Sequence, residues 1–176
     1  MSVFKAFGVK DVKLFKMTAD TEEEITYGAG VDCPAIQKVG LKPIIEEFEL
    51  LGDDGIVDTD AQLMGYEFSI ENGKISLEAL AIIEGGTTTS VPETTETYTN
   101  KGSDKLGYFK LEAQITNTEE GDVHIILPKC KATGGVEINF AGKEYAVVSF
   151  SGKAIPTANS DECRQIVKNK TVKPIV

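Results

Sequence analysis

The stretch Glu46–Glu71, EEFELLGDDGIVDTDAQLMGYEFSIE, holds nine carboxylates and neither Lys nor Arg. Two runs rich in apolar residues, Ile44–Leu51 and about Leu63–Ile70, flank an acidic middle, which reads as two strands joined by a loop. Counted in steps of two, Glu46, Phe48 and Leu50 share one face, and Glu47, Glu49 and Leu51 the other. In the second run Met64, Tyr66, Phe68 and Ile70 share a face, opposite Gly65, Glu67, Ser69 and Glu71. With the apolar faces packed together, Glu47, Glu49, Glu67 and Glu71 project from one side of the hairpin. Like charges side by side on a sheet destabilise it. Such a face is either a solvated exterior or a surface that has to stay wet and negative, such as the wall of a channel for a polyanion.

Working outward, most of the chain has strand character. VKLFKMT (Val12–Thr18) alternates weakly, and YFKLEAQIT (Tyr108–Thr116), VHIILPKCKAT (Val123–Thr133), VEINF (Val136–Phe140) and EYAVVSFSGKAI (Glu144–Ile155) are rich in β-branched and aromatic residues. In the last, Ala146, Val148, Phe150, Gly152 and Ala154 form one face, expected in the core. An Ala141-Gly142 turn joins the final two strands. One segment differs: KISLEALAIIEGG, with Ser76 as N-cap and Gly85 as stop, predicts a short helix over about 75–84. It is apolar almost all round, so Leu77, Leu80, Ile82 and Ile83 are expected either in the core or against another subunit. Gly85–Asp104 is a Thr-rich stretch long enough to have a role or to hide a strand such as ETYTNKG. The expectation is a single mainly β domain over 1–176, with an N-terminal arm (about 1–10) and a basic C-terminal arm (about 157–176).

Net charge is −10 and Arg164 is the only arginine, which argues against tight nucleic-acid binding. Cys33, Cys130 and Cys163 match neither a zinc spacing nor a disulfide framework and read as thiols in a reducing cytosol. The first residues lack a signal-peptide pattern and no long apolar run spans a membrane. His124, the single histidine, reads as a satisfied structural or surface residue. No nucleophile, base and orienter can be placed together, so an enzyme is not expected. Asp53, Asp54, Asp58 and Asp60 offer oxygens to a hard cation, but their spacing departs from a calcium loop; a solvated or interface loop is expected, with no metal and no cofactor.

Several ordered blocks extend this reading: LLGDDGIVDTDAQLMGYEFSIENGKISLEALAIIEGGT, then YTNKGSDKLGYFKLEAQ, GDVHIILPKCKATGG and EYAVVSFSGKAIPT. Over about Lys10–Val167 the chain resembles the major tail (tail tube) proteins of long-tailed phages and prophages. The resemblance implies a β-sandwich or barrel-like domain with a flanking helix, forming hexameric rings that stack into a tube. Inner strands of the subunits would join into one barrel around a lumen that conducts double-stranded DNA without binding it specifically. Many such proteins carry an added immunoglobulin-like domain, for which this chain ends too soon. Further implied partners are the tape measure, tail terminator and distal tail proteins, with assembly in the host bacterial cytoplasm and final location in the virion tail.

In that setting Glu47, Glu49, Glu67 and Glu71 are expected to line the lumen, and Leu77, Leu80, Ile82 and Ile83 to bury apolar surface between subunits. The loop with Asp53, Asp54, Asp58 and Asp60, the Thr-rich stretch and the basic arm are three candidates for contacts between rings. A β-sandwich adhesion or binding module of a virion, and the tube of a contractile injection device, are the alternatives.

Overall fold

The computed structural model describes residues 6–53, 55–74, 76–117, 121–140, 142 and 146–176. In chain order the elements are β1 (Ala6–Asp20), β2 (Ile25–Asp32), β3 (Ile36–Gly52), β4 (Gly55–Asn72), α1 (Leu77–Glu84), β5 (Thr87–Val91), β6 (Thr95–Thr99), β7 (Phe109–Asn117), β8 (Asp122–Asn139), β9 (Val147–Ala154) and β10 (Gln165–Asn169). The fold is mainly β and sandwich-like. Eight strands make one antiparallel sheet in the order β2-β1-β7-β8-β9-β4-β3, with β10 also on β8. The long strand β8 belongs to both halves. Its first part pairs with β7 on one edge and β10 on the other, and its second part pairs with β9. Cys130 marks the crossing, paired with Phe109 of β7 and Ala154 of β9.

Two wings therefore face each other about β8. Val12, Leu14, Phe109, Leu111, Ala113 and Leu127 of one wing bury against Tyr66, Phe68, Ile70, Ala132, Phe150 and Ala154 of the other. Phe68 stands edge-on to Phe109 (6.0 Å between centroids) and to Phe150 (6.2 Å), a favoured aromatic geometry. Gly152 lies under this cluster, and a Cβ there would come within 2.7 Å of the Phe68 ring and 2.2 Å of the Lys131 carbonyl. The expected core face of β9 is buried at Val148, Phe150, Gly152 and Ala154. The alternation of β1 is weak because Phe15, on the opposite face from Leu14, is buried too, with Lys110 Nζ 3.7 Å from its ring centroid.

The helix starts as expected, with the Ser76 hydroxyl accepting from the Ala79 N–H at 3.2 Å. Its packing corrects one expectation. Leu80, Ile82 and Ile83 are buried within their own chain, and only Leu77 keeps partial exposure, so this set leaves no apolar face for a second subunit. Ile75 lies outside the described residues, as does Ala141 of the expected turn. The Thr-rich stretch holds a hairpin, β5–β6, whose Tyr98 hydroxyl ties it to the Gly85 carbonyl at 3.0 Å. Residues 6–10 of the expected N-terminal arm belong to β1, and residues 1–5 lie outside the described set.

Candidate functional site

β3 and β4 form the longest ribbon of the fold. They pair from Ile36 and Asn72 to Gly52 and Gly55, so Gly52 and residues 55–60 of GDDGIVDTD are strand. Asp53 sits in the turn between the two strands, Asp58 and Asp60 lie within β4, and Asp54 is outside the described residues. The Asp58 and Asp60 carboxylates accept from the next backbone N–H, at 2.9 and 2.8 Å. They do not gather as an acidic loop, because both belong to an extended strand.

β9 pairs with β4 only as far as Tyr66. Beyond that level the ribbon continues for roughly 25–30 Å at about 3.3 Å per residue. Leu50, Leu51 and Val57 are 62%, 70% and 69% exposed there, with Ile45, Phe48, Ile56, Leu63 and Met64 exposed as well. Paired residues of antiparallel strands point to the same side. The register therefore puts Phe48 and Leu50 on one side of the ribbon and Ile45 and Leu63 on the other. Both faces are partly apolar and neither is covered.

A bulge corrects the expected carboxylate wall. Ile44 pairs with Gly65 and Ile45 with Leu63, which leaves Met64 as an extra residue in β4. One extra residue exchanges the two faces of everything beyond it. Glu47 and Glu49, opposite Ala61 and Thr59, fall on the side that continues the core face of Tyr66 and Phe68. Glu67 and Glu71 point the other way. Gly65 accommodates the bulge: its φ is +152°, and a Cβ there would lie 2.4 Å from the Ala154 carbonyl oxygen.

The face that carries Glu67 and Glu71 is mixed in charge. One cross-strand row runs Lys42, Glu67, Lys153, Lys131, and another Lys38, Glu71, Ser149, Glu137. Lys38 Nζ is 3.6 Å from Glu71. Between these rows lie Gly40, Ser69 and Ser151. Each of the two glutamates thus has a lysine beside it, and Lys131 and Lys153 are the one like-charge pair in these two rows.

This layer, the second half of β8 with β9, β4 and β3, is open at both ends. Along β3 no described strand pairs with the outer edge, and Pro43 sits there without a donor to lose. At the other end β7 stops at Phe109, so the 131–139 edge of β8 has no strand beside it among the described residues. Its Val136 N–H donates to Glu84 Oε1 of α1 at 2.7 Å. Open edges offer backbone donors and acceptors to another chain.

A second polar centre lies on the outer face of the other wing. His124 Nδ1 is 2.8 Å from Glu112 Oε1, and Nε2 is 3.2 Å from Asp122 Oδ2 and 3.0 Å from the Lys173 carbonyl. Asp122 also accepts from Gln114 Nε2, from Asn169 Nδ2 at 2.8 Å and from the Lys173 N–H at 2.9 Å. The basic arm is therefore not loose. Gln165–Asn169 is strand β10, residues 170–176 follow it to this cluster, and Ile175 is buried.

Burial alone would raise the Asp122 carboxyl, but the hydrogen bonds from Gln114, Asn169, Lys173 and His124 outweigh it and bring the value from 3.8 down to about 2. A carboxyl lowered in the folded state stabilises the fold above its unfolded value and loses that contribution as pH falls through the folded one. Stability measured by urea melts is expected to drop by about 2 kcal/mol from this group between pH 5 and pH 2. Asp122→Asn should flatten that part of the profile.

No protein-family model matches the chain, and a search of curated proteins found none similar to it. Among the described residues no group of three His, Cys, Asp or Glu is placed to hold a metal ion. Cys33 and Cys130 are buried free thiols, and burial raises both, Cys33 to about 12. Cys163 is a free thiol of intermediate exposure. No helix among the described residues is long and apolar enough to cross a membrane. The sequence reading missed the Met64 bulge and the length of the ribbon, while His124 is the satisfied structural residue expected, with partners the sequence did not name. A lone Gly65 inside a strand was the signal for the first.

Proposed function

We propose that this chain is the structural subunit of a phage tail tube, assembling through its ribbon and its open sheet edges into hexameric rings that stack. The ribbon carries the proposal: eight large apolar side chains around residues 45–64 are exposed on both sides of two strands that stand clear of the core. An exposed apolar surface of that kind marks an interaction site. The open edges of β3 and β8 support it, since head-to-tail pairing of two different edges generates rings. Double-stranded DNA passes through the bore, and the tape measure, terminator and distal tail proteins meet the tube ends.

The bore in this reading is not lined by Glu47, Glu49, Glu67 and Glu71 together. Its wall is the mixed face of Lys38, Lys42, Lys131 and Lys153 with Glu67, Glu71 and Glu137. Weak adsorption of DNA then comes from lysines compensated by neighbouring carboxylates, because uncompensated lysines would hold phosphates in a salt-dependent way.

Electron microscopy of the purified chain tests the proposal: rings or hollow tubes are expected, and single featureless particles at every concentration would overturn it. The double change Phe48→Ser with Leu50→Ser should leave the monomer folded, since both residues are exposed. Losing about 1.5 kcal/mol or more of burial at each contact should raise the concentration needed for assembly by at least ~100-fold, read by sedimentation.

A further inference from the structure

The contacts of His124 fix its protonation. Nε2 faces two acceptors, the Asp122 carboxylate and the Lys173 carbonyl, so it has to donate. Nδ1 faces the Glu112 carboxylate, a further acceptor. Both ring nitrogens therefore carry protons, and the ring is a buried cation between two carboxylates. Glu112 meets Lys110 Nζ at 3.3 Å on its other oxygen. The segment after β10 closes the arrangement with two backbone groups of one residue, the N–H and the carbonyl of Lys173.

We propose that residues 170–176 form a releasable clasp over the outer sheet face, locked while His124 holds both ring protons and loosened when it loses one. Losing the proton at Nε2 sets a lone pair against the Lys173 carbonyl and the Asp122 carboxylate. Losing the one at Nδ1 leaves Glu112 Oε1 facing a lone pair, with Lys110 remaining only on the other oxygen. Either loss removes part of what anchors the clasp, since buried polar groups left unpaired are costly.

The charged groups around the ring come from every neighbouring element. Lys110 and Glu112 belong to β7, Asp122 to β8 and Lys173 to the clasp, while Lys168 of β10 pairs with Val123 and so points to the other face. From β1, Lys13 lies opposite Glu112 and Asp11 opposite Gln114, with Asp32 of β2 3.6 Å from Lys13. Burial disfavours the charged ring, but its hydrogen bonds to Glu112, Asp122 and the Lys173 carbonyl raise its titration above 6.5. The clasp is accordingly closed at pH below 6.5 and opens as pH rises through the raised titration. Its opening bares Glu112, Gln114, Asp122 and His124 without unpairing β10 from β8.

The single histidine makes the test direct. In the full-length chain, ¹³C-histidine NMR follows the ring while amide exchange, normalised to intrinsic rates, follows Lys173 and Ile175. The expected result is a midpoint above 6.5, with protection at Lys173 and Ile175 falling by up to about tenfold per pH unit as pH rises from about 6.5 to that midpoint and levelling off beyond it. Val167 should keep its protection. A midpoint at or below 6.5, or protection unchanged through the titration, overturns the proposal. Lys173→Pro, which removes the N–H given to Asp122, should open the clasp at pH 6, where the ring of the unaltered chain holds both protons, and retained protection at Ile175 in that variant would also overturn it. The unaltered chain decides the matter alone should the variant fail to fold.

Discussion

Replacing Asp122 by alanine is expected to destabilise the folded chain by about 3–5 kcal/mol, the range for breaking one side of a buried charge pair. Asp122 is only 1% exposed, so water does not replace what it supplies. Its two oxygens serve Gln114, Asn169, His124 and the Lys173 N–H. Without them a buried imidazolium keeps only one carboxylate partner, and the side chains of Gln114 and Asn169 lose an acceptor. Urea melts at pH 7 measure the change. A loss under about 1 kcal/mol would mean that the cluster is solvated and that its hydrogen bonds are not specific.

Phe68→Ala is expected to cost about as much, 3–5 kcal/mol, and to fall at the upper end of that range. The Phe68 ring joins the two wings: it belongs to β4 and meets Phe109 of β7 and Phe150 of β9 edge-on. Truncation removes both aromatic pairs, about 0.5–1.5 kcal/mol each beyond area, and opens a cavity. That space cannot collapse easily, because Gly152 and Ala132 beneath it carry almost no side chain to move in. Chemical denaturation should show the loss with an unchanged dependence on denaturant. Phe68→Leu should recover part of it. A cost below about 1.5 kcal/mol for the alanine would show that the wings are held together elsewhere.

How much of this was legible in the sequence follows from the range of each signal. Ser76 and Gly85 bound α1 by local chemistry, and the period-two face of β9 came through because four core residues sit in one unbroken strand. The period-two count of β4 held at Tyr66, Phe68 and Ile70, which are buried, with Glu67 exposed. The error lay in packing Phe48 and Leu50 onto that face. With Met64 as an extra residue, the register puts Glu47 and Glu49 there instead. Composition could not distinguish a helix buried by its own chain from one buried by a partner, and Leu80, Ile82 and Ile83 prove to be the former. The His124 cluster was beyond reach: Glu112, Asp122, Asn169 and Lys173 come together only through pairing of β7, β8 and β10.

Strand β8 threads both wings without a break, from Asp122 beside β10 to Asn139 beside β9. A pull applied to one wing is thus delivered to the other along a covalent backbone, with the flanking ladders loaded in shear instead of being unzipped bond by bond. A subunit wired in this way resists a pull between its two wings as one piece.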